Sequence, residues 1–285
     1  MSRIVLIAGF EAFNTNLYEQ AAAAARRSDL EICIFCDRDL TTQPDAIAAA
    51  LVDADVFFAS LIFDYDQVIW LCDRVRHIPV RLIFESALEL MALTQLGKFV
   101  IGEKPKGMPK PVQFILSKFG SGKEEDRLAG YLSFLKVGPK LLKFVPARKV
   151  QDLRNWLIIY GYWNAGGPEN VTALFNYLAE KYLGLIVGEI PPMIETPNMG
   201  LLHPAYEGYF ESPAAYVGWY EEVLAECGDR GDRGDKAGIL TSPPSPPSSP
   251  RVAILLYRKH VITHQSYIPQ LIRYFEQAGL TPVPI

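Results

Sequence analysis

The first hundred residues alternate between short apolar runs and stretches with helical spacing, and this alternation limits the fold more than any other feature. The apolar runs are typical of buried strands in a parallel sheet. The predicted strands are residues 3–9, 30–36, 55–63 and 80–84, and the helices that follow them are residues 17–27, 44–52, 65–76 and 87–96. Successive strand–helix units form a parallel sheet with helices on its faces. The sequence therefore predicts an α/β fold with a Rossmann-like or flavodoxin-like parallel sheet.

Acidic residues follow the predicted strands closely. Ligands of such sheets bind beyond the carboxyl ends of the strands, where these side chains would meet. A second interpretation is that the carboxylates cap helices and keep loops solvated, and we favour it. The residues concerned are Asp37, Asp39, Asp64, Asp66 and Glu85.

Two glycine-containing segments lack the features of nucleotide sites. Residues 9–11 (Gly-Phe-Glu) follow the first strand without a G-x-G-x-x-G pattern, so we expect no nicotinamide or flavin cofactor. Residues 120–123 (Gly-Ser-Gly-Lys) resemble part of a P-loop. However, Ser117 stands where the first glycine belongs, and Glu124 stands where Ser or Thr is needed. We predict a basic loop and no nucleotide-binding residues.

Helical spacing without strands begins near residue 109 and continues to about residue 183, which predicts a helical insertion. The predicted helices are residues 111–119, 124–137, 139–144, 147–163 and 168–183. Part of this region is basic, through Lys136, Lys140, Lys143, Arg148, Lys149 and Arg154. A solvated helix face is the favoured interpretation of these charges. The alternative is a docking face for an acidic partner or a carboxylated ligand.

The composition changes at residues 227–250, which contain Gly, Asp and Arg and then Pro and Ser, as in a linker. Residues 251–285 form a strand–helix–strand pattern, which predicts the start of a second α/β unit. We therefore expect an amino-terminal α/β domain over residues 1–226, the linker, and a truncated main domain that continues in a longer protein.

The net charge and the positions of the cysteines indicate the cellular compartment and the kind of binding partner. The net charge is −4, which does not favour a nucleic-acid partner. Cys33 and Cys36 lie in a predicted strand, where residues three apart face opposite ways, so they are poorly placed to chelate one metal ion. Such thiols fit a reducing compartment. Without a leader pattern or a long apolar run, we expect a protein of the bacterial cytoplasm with no membrane span.

Several residues are candidates for a site, each with a structural alternative. Trp163 lies beside paired glycines and has the flat surface that stacks on a macrocycle, although core packing is at least as well supported. For His203, which precedes a proline, a hydrogen-bonded structural role is favoured over ligand binding. His260 and His264 have metal-site spacing, but Val261 replaces the glutamate of H-E-x-x-H and a loop is predicted there. They are weak metal candidates.

Several short motifs occur in a fixed order along the chain. They are residues 59–63 (Ala-Ser-Leu-Ile-Phe), 84–86 (Phe-Glu-Ser) with 93–97, 162–163 (Tyr-Trp) with 167–170 (Gly-Pro-Glu-Asn), 199–200 (Met-Gly) with 203–204 (His-Pro), 210–211 (Phe-Glu) with the helix to 219–220 (Trp-Tyr), and 257–258 (Tyr-Arg) with His260. Together they resemble the amino-terminal region of the large, porphyrin-binding H subunit of magnesium chelatase, a family that overlaps the cobalt chelatase large subunit. The resemblance covers nearly the whole chain apart from the linker.

The resemblance implies a porphyrin-binding subunit of the complex that inserts Mg²⁺ into protoporphyrin IX on the way to chlorophyll. The implied partners are AAA+ and integrin-like chelatase subunits, which use ATP. Mg²⁺ and protoporphyrin IX would be substrates, and no cofactor is expected on this chain. Members of this family are several times longer, so we expect the chain alone to be inactive. The alternatives are a cobalt chelatase subunit of cobalamin synthesis and a non-catalytic tetrapyrrole-binding or regulatory module.

Metal insertion requires three things from a protein. The macrocycle must be held and distorted, two pyrrole protons must be removed, and hydrated Mg²⁺ must lose water. A flat aromatic ring, a base and a carboxylate would serve these needs. The corresponding porphyrin-binding candidates are Trp163, His203 and Glu85, and the catalytic residues remain unassigned.

Overall fold

The structure, a computed structural model, describes residues 1–9, 14–101, 137–195, 197, 199–229 and 250–285. These residues form two compact units, Met1–Ile194 and Glu195–Ile285. The units separate at a different point from the predicted division after residue 226. The glycine-containing loop at 120–123, the predicted helix 111–119, nearly all of the predicted helix 124–137 and most of the predicted linker lie outside the described residues.

The first unit is built on a six-stranded sheet in the order β2-β1-β3-β4-β5-β6. Its strands are β1 Ser2–Ala8, β2 Leu30–Cys36, β3 Val56–Ser60, β4 Val80–Phe84, β5 Gln95–Leu96 and β6 Phe99–Val100. The first four strands are parallel to their neighbours, and β5 and β6 are antiparallel additions. The order of the parallel strands is that of flavodoxin-like sheets. The predicted α/β fold with a parallel sheet is therefore confirmed.

The helices between these strands are α1 Thr15–Ala25, α2 Asp39–Thr42, α3 Pro44–Val52, α4 Tyr65–Val75 and α5 Leu88–Met91. The predicted helix at 87–96 is wrong beyond α5, because the chain turns back there to form β5. Thr94 is fully buried, and its hydroxyl contacts the backbone N–H and C=O of Ile83 at 3.3 and 3.4 Å. Arg81 of β4 donates to the Leu93 carbonyl at 2.8 Å. These contacts with β4 outweigh the local helical preference.

Alternate residues along each central strand face two different helical layers. Ile4 and Leu6 pack in one cluster with α1 and with the helices α6 (Arg148–Ala165) and α7 (Gly167–Tyr182). Val5 and Ile7 pack in the opposite cluster with α3 and α4. The later part of the predicted helical insertion thus forms α6 and α7, which supply one layer of the sheet. Residues 137–142 are also helical.

A glycine pair separates α6 from α7. Gly166 has φ 67° and Gly167 has φ 82°, which are left-handed conformations that favour glycine, and Pro168 lies in the first turn of α7. The turn lets the two helices pack side by side on the sheet.

The second unit combines residues on both sides of the predicted linker. It contains α8 Pro213–Asp229, β7 Arg251–Ile254, α9 Arg258–Ile262, α10 Tyr267–Gln277 and β8 Thr281–Pro284, with β7 and β8 parallel. The hydroxyl of Tyr216 on α8 donates to the carbonyl of Pro282 at 2.8 Å. Residues 251–285 thus fold together with α8. Among the helices that the structure describes, none has both the length and the apolar character needed to cross a membrane.

Candidate functional site

The carboxyl edge of the sheet in the first unit has an unusual backbone. Leu61 follows β3 with φ 60°, and Glu85 follows β4 with φ 46°. Left-handed residues other than glycine are uncommon, and each costs about 1–3 kcal/mol, so they concentrate at functional sites. In a flavodoxin-like sheet this edge is also where ligands bind. The strain therefore marks the edge as the candidate site of this unit.

Hydrogen bonds from a buried serine hold these two strand ends together. The Ser86 hydroxyl accepts from the Ile62 N–H at 3.1 Å and donates to the Phe84 carbonyl at 2.9 Å. The Ala87 N–H donates to the Ile62 carbonyl at 2.9 Å. The backbone on either side of Glu85 is therefore fixed, which is the condition for a strained residue to persist.

Gly9 closes the same edge at the end of β1. Its N–H donates to the Ser60 carbonyl at 2.8 Å. A Cβ at this position would lie 2.0 Å from the Leu61 carbonyl oxygen, which is a backbone atom. Only glycine allows the ends of β1 and β3 to approach this closely.

Glu85 is exposed, and its carboxylate accepts from the Tyr160 hydroxyl at 3.3 Å. Tyr160 is half-buried on α6, where it stacks on Trp156 with 5.8 Å between centroids and 10° between planes. The ring of Phe84 meets Tyr160 edge-on at 5.1 Å. The site thus pairs an accessible carboxylate with a phenol on an ordered aromatic platform.

Trp163 lies in the core of the first unit. Its side chain is 5% exposed, and its Nε1 donates to the Ser60 hydroxyl at 3.2 Å. Tyr18 stacks on the indole at 5.4 Å, and Phe58 lies 4.7 Å away. A macrocycle has no access to the indole in this arrangement, which favours the core-packing interpretation.

Two of the acidic residues near the sheet edge accept hydrogen bonds from the local backbone. The Asp39 carboxylate accepts from the Cys36 N–H and from Gln43, both at 2.8 Å. Burial acts to raise the pKa of Asp39, but these hydrogen bonds outweigh it, so the pKa is lowered. Asp64 accepts from the Gln67 N–H at 3.0 Å as the N-cap of α4. The capping interpretation is confirmed for Asp64, whereas Asp39 holds the turn between β2 and α2. Within the described ranges, no three or more His, Cys, Asp or Glu residues are arranged to hold a metal ion.

The Gly-Pro-Glu-Asn motif at 167–170 has a structural function. The side-chain oxygen of Asn170 accepts from the Ile194 N–H at 2.9 Å, and its nitrogen donates to the carbonyls of Ile194 at 3.0 Å and Gly166 at 2.7 Å. The Tyr162 hydroxyl donates to the Pro191 carbonyl at 2.7 Å. These bonds fasten residues 191–194, which we call the strap, against α6 and α7.

His203 belongs to a buried polar group in the second unit. It is 4% exposed, its Nδ1 accepts from the Ala205 N–H at 3.1 Å, and its Nε2 lies 3.1 Å from a Glu276 oxygen. Since Nδ1 is an acceptor, the proton is on Nε2, which donates to the carboxylate. The Tyr220 hydroxyl donates to the same oxygen at 3.1 Å. Burial and then the Glu276 charge raise the pKa of Tyr220, which keeps the phenol a donor. This geometry favours the structural interpretation of His203.

His260 and His264 do not share one helix. His260 lies in the short α9, in place of the predicted loop, and its Nδ1 is 2.8 Å from the Tyr267 hydroxyl. His264 follows the end of α9 with φ 52°. The spacing of four residues therefore does not place the two imidazoles on one face of a helix, as the H-E-x-x-H motif requires.

Sequence reasoning missed Tyr160 and Glu276. Glu276 did leave a signal, because it continues the series Ile268, Ile272 at a spacing of four and so lies on the apolar face of α10. A carboxylate at such a position needs buried donors. The sequence contains no signal for Tyr160, because its hydrogen bond to Glu85 depends on how α6 packs on the sheet.

Comparisons with known proteins find two family models, which meet between residues 157 and 160, within α6, whereas the two compact units separate after Ile194. A family described as Domain of unknown function (DUF3479) matches residues 3–157, and one described as CobN/Magnesium Chelatase matches residues 160–285. The magnesium-chelatase H subunit of Chlorobaculum parvum is 32% identical over 285 residues, which are 99% of this chain and 21% of that protein. The chloroplastic magnesium-chelatase ChlH subunit of Oryza sativa subsp. indica is 25% identical over an alignment of 293 positions, which covers 99% of this chain and 20% of that protein.

A solved structure, the catalytic subunit of cobaltochelatase from Mycobacterium tuberculosis, aligns with a TM-score of 0.40 and 15% identity over 99% of this chain and 16% of that one. The chain belongs to the family described as Domain of unknown function (DUF3479), whose model matches more than half of it, and residues 160–285 match the CobN/Magnesium Chelatase model. It matches the amino-terminal region of magnesium-chelatase H subunits. The chain spans about a fifth of the length of the curated relatives it matches.

Proposed function

We propose that this chain is the amino-terminal part of the porphyrin-binding subunit of a magnesium chelatase, which inserts Mg²⁺ into protoporphyrin IX in chlorophyll synthesis. The observation that carries the proposal is the 32% identity to the large subunit of a magnesium chelatase along 99% of the chain. The rice relative is also named for magnesium, which supports this metal over cobalt. ATP is used by AAA+ and integrin-like partner subunits, and the complex works in the cytoplasm.

Within that subunit, the strained sheet edge is the part of this chain best suited to contact the macrocycle or a neighbouring subunit. Of the three candidates, Glu85 is exposed, whereas Trp163 and His203 are buried. Glu85 therefore makes the contact, with Tyr160 orienting its carboxylate through the 3.3 Å hydrogen bond. Trp163 and His203 act indirectly, since each holds the packing of its own unit.

A carboxylate at this place suits the chemistry of insertion. It accepts hydrogen bonds from pyrrole N–H groups, and it is a good oxygen ligand for Mg²⁺ that is losing water. The fixed backbone at Glu85 sets the direction in which its side chain leaves the sheet, and the Tyr160 hydrogen bond orients the carboxylate, so less freedom is lost on binding. The two substrates would thus meet a carboxylate that is already oriented.

Titration with a soluble porphyrin tests this contact. We expect saturable binding, followed by the shift of the porphyrin absorption band, and Glu85→Gln should weaken it roughly tenfold, or about 1.4 kcal/mol. Tyr160→Phe should have a smaller effect in the same direction. Glu89→Gln is the matched control, because Glu89 is also exposed and lies in α5.

The titration separates the alternatives. If a folded chain binds no porphyrin, or if Glu85→Gln and Glu89→Gln bind alike, the macrocycle contact lies outside Glu85 and the edge is a docking surface for another subunit. Tight porphyrin binding without metal insertion by the complete subunit would instead indicate a non-catalytic tetrapyrrole-binding module.

A further inference from the structure

The second unit contains a cavity that the proposed function does not use. It has a volume of about 390 Å³ and lies between residues 202–209 and the corner that joins α9 to α10. This volume is within the range of about 300–1,000 Å³ typical of small-molecule sites. The residues that matter to its chemistry are Leu202, Tyr206, Tyr209, His264, Gln265 and Ile268.

The walls of the cavity are apolar and stiff. Leu202, Val261 and Ile268 contribute aliphatic surface, and Ile268 is 5% exposed. Pro204 and Pro269 also line the cavity and restrict the backbone on both sides. A cavity with such walls exists before a ligand arrives, so binding requires little ordering.

One side of the cavity is aromatic. Tyr206 stacks on Phe210 with 3.9 Å between centroids and 28° between planes, and Trp219 lies edge-on to it at 5.5 Å. These contacts fix the plane of the Tyr206 ring. An aromatic ring with a fixed plane favours a flat ligand.

Polar residues also line the cavity. The lining includes the phenol of Tyr209, the amide of Gln265 and the imidazole of His264. His264 has φ 52° because it is the left-handed residue of the turn that ends α9: its N–H donates to the Val261 carbonyl and the Gln265 N–H donates to the His260 carbonyl, both at 3.0 Å. These bonds fix the backbone from which the imidazole extends.

Arg258 does not line the cavity, but its positive charge acts on one of the lining residues, Tyr209. Burial raises the pKa of Tyr209, and the positive charge of Arg258 acts against that effect, so the guanidinium influences this phenol. Glu207 lies on the same loop, but it is exposed and does not line the cavity. Arg258, Tyr209 and His264 together favour an acceptor with negative charge.

We propose that this cavity binds a small planar aromatic compound that carries one acidic group. The ring system lies between the aliphatic wall at Leu202 and Ile268 and the ring of Tyr206. The acidic group accepts hydrogen bonds from Tyr209 and His264. The proposal is independent of the metal-insertion role proposed above.

A pair of fluorescent probes tests the proposal on the complete chain. 8-Anilinonaphthalene-1-sulfonate carries a flat naphthalene ring and one sulfonate, and N-phenyl-1-naphthylamine has the same rings without the acid. We expect one saturable site for the sulfonate, with an affinity roughly tenfold above that of the neutral probe, since a hydrogen bond to a charged group contributes about that factor. Equal affinity for the two probes, or no saturable binding of the sulfonate, would overturn the proposal.

Substitutions then locate the site. Tyr209→Phe and His264→Gly each remove one donor, and the glycine also suits the left-handed backbone. Each should weaken sulfonate binding severalfold and leave the neutral probe unchanged. Tyr274→Phe is the control, because Tyr274 is 69% exposed on α10 and does not line the cavity. If both variants fold with unchanged circular dichroism and bind the sulfonate like the control, the assignment to this cavity is wrong.

Discussion

Gly97 is a residue whose identity is fixed by a buried carboxylate. It has φ 59°, and a Cβ added there would lie 2.5 Å from the Asp152 carboxylate. The carboxylate has little freedom to move away, because it accepts from the Lys98 N–H at 2.7 Å and from the Tyr182 hydroxyl at 3.1 Å. Gly97→Ala should therefore lower the free energy of unfolding by about 3 kcal/mol or more, from backbone strain and steric clash together.

Gly184 provides the matched control for this prediction. It has φ 68°, but an added Cβ would meet no atom within 4 Å. Gly184→Ala should show the backbone strain alone, about 1–2 kcal/mol. Both losses are measured by urea unfolding. Equal losses for the two variants would show that the Asp152 contact does not constrain Gly97.

Because of Tyr177, the stability of the first unit should vary with pH in the alkaline range. Burial raises its pKa to about 12, and its hydroxyl donates to Asn155 at 2.7 Å. The unfolded chain loses the phenolic proton near pH 10, whereas the folded chain keeps it to about pH 12. Because the unfolded state binds fewer protons in this window, stability should fall as pH rises from about 10 to 12. Below about pH 10 the contribution is complete.

Urea unfolding at about pH 9 and pH 11 measures this loss. Tyr177→Phe should be less sensitive to pH over the interval than the unchanged protein. Tyr65→Phe, at a side chain that is 71% exposed, should leave the sensitivity unchanged. A Tyr177→Phe protein with the full pH dependence would contradict the assignment.

The stability of the second unit depends on the Glu276 carboxylate. Glu276→Ala removes the acceptor for the buried donors of His203 and Tyr220, and each unpaired donor costs about 1–3 kcal/mol. We expect a loss of several kcal/mol in thermal or urea unfolding. Combining Glu276→Leu with His203→Phe should be less damaging than the sum of the single changes, because both partners become apolar. Additive losses would exclude a direct interaction.

At the scale of single elements, the strap depends on Asn170. Asn170→Asp keeps the oxygen that accepts from the Ile194 N–H but places a second oxygen opposite the carbonyls of Ile194 and Gly166. The strap should loosen, with faster hydrogen exchange at Ile194 and faster proteolysis within residues 186–194. Asn16→Asp on α1 is the control, since Asn16 is exposed. Unchanged exchange in Asn170→Asp would show that the strap is held by other contacts.

Elements were predictable where a local pattern and the tertiary environment agree. The strands β1 to β4 are apolar on both faces because helices cover both, and their sequence shows it directly. The hairpin of β5 and β6 was not predictable, because it depends on contacts of Thr94 and Arg81 with distant backbone. Likewise α9 replaces a predicted loop. Short elements of this kind are stabilised by their neighbours and carry little signal of their own.

The candidate site was less predictable than the fold. Trp163 was singled out for its aromatic surface, but Tyr18 and Phe58, both distant in sequence, cover it. Glu85 was singled out as an acidic residue after a strand, and its left-handed backbone became visible only in the structure. Residue type and spacing along the sequence indicate which side chains have the chemistry needed for a binding site. Burial decides which of them a ligand reaches.

At the scale of the whole molecule, the central claim is that this chain forms the amino-terminal region of a magnesium chelatase large subunit. The most direct measurement replaces the matching region of the Chlorobaculum parvum large subunit with this chain and follows metal insertion into protoporphyrin IX, with ATP and the partner subunits, by product fluorescence. The account predicts insertion of Mg²⁺ in preference to Co²⁺ and a marked loss of rate with Glu85→Gln but not with Glu89→Gln. A folded hybrid subunit that binds its partners and inserts no Mg²⁺, or inserts Co²⁺ instead, would contradict it.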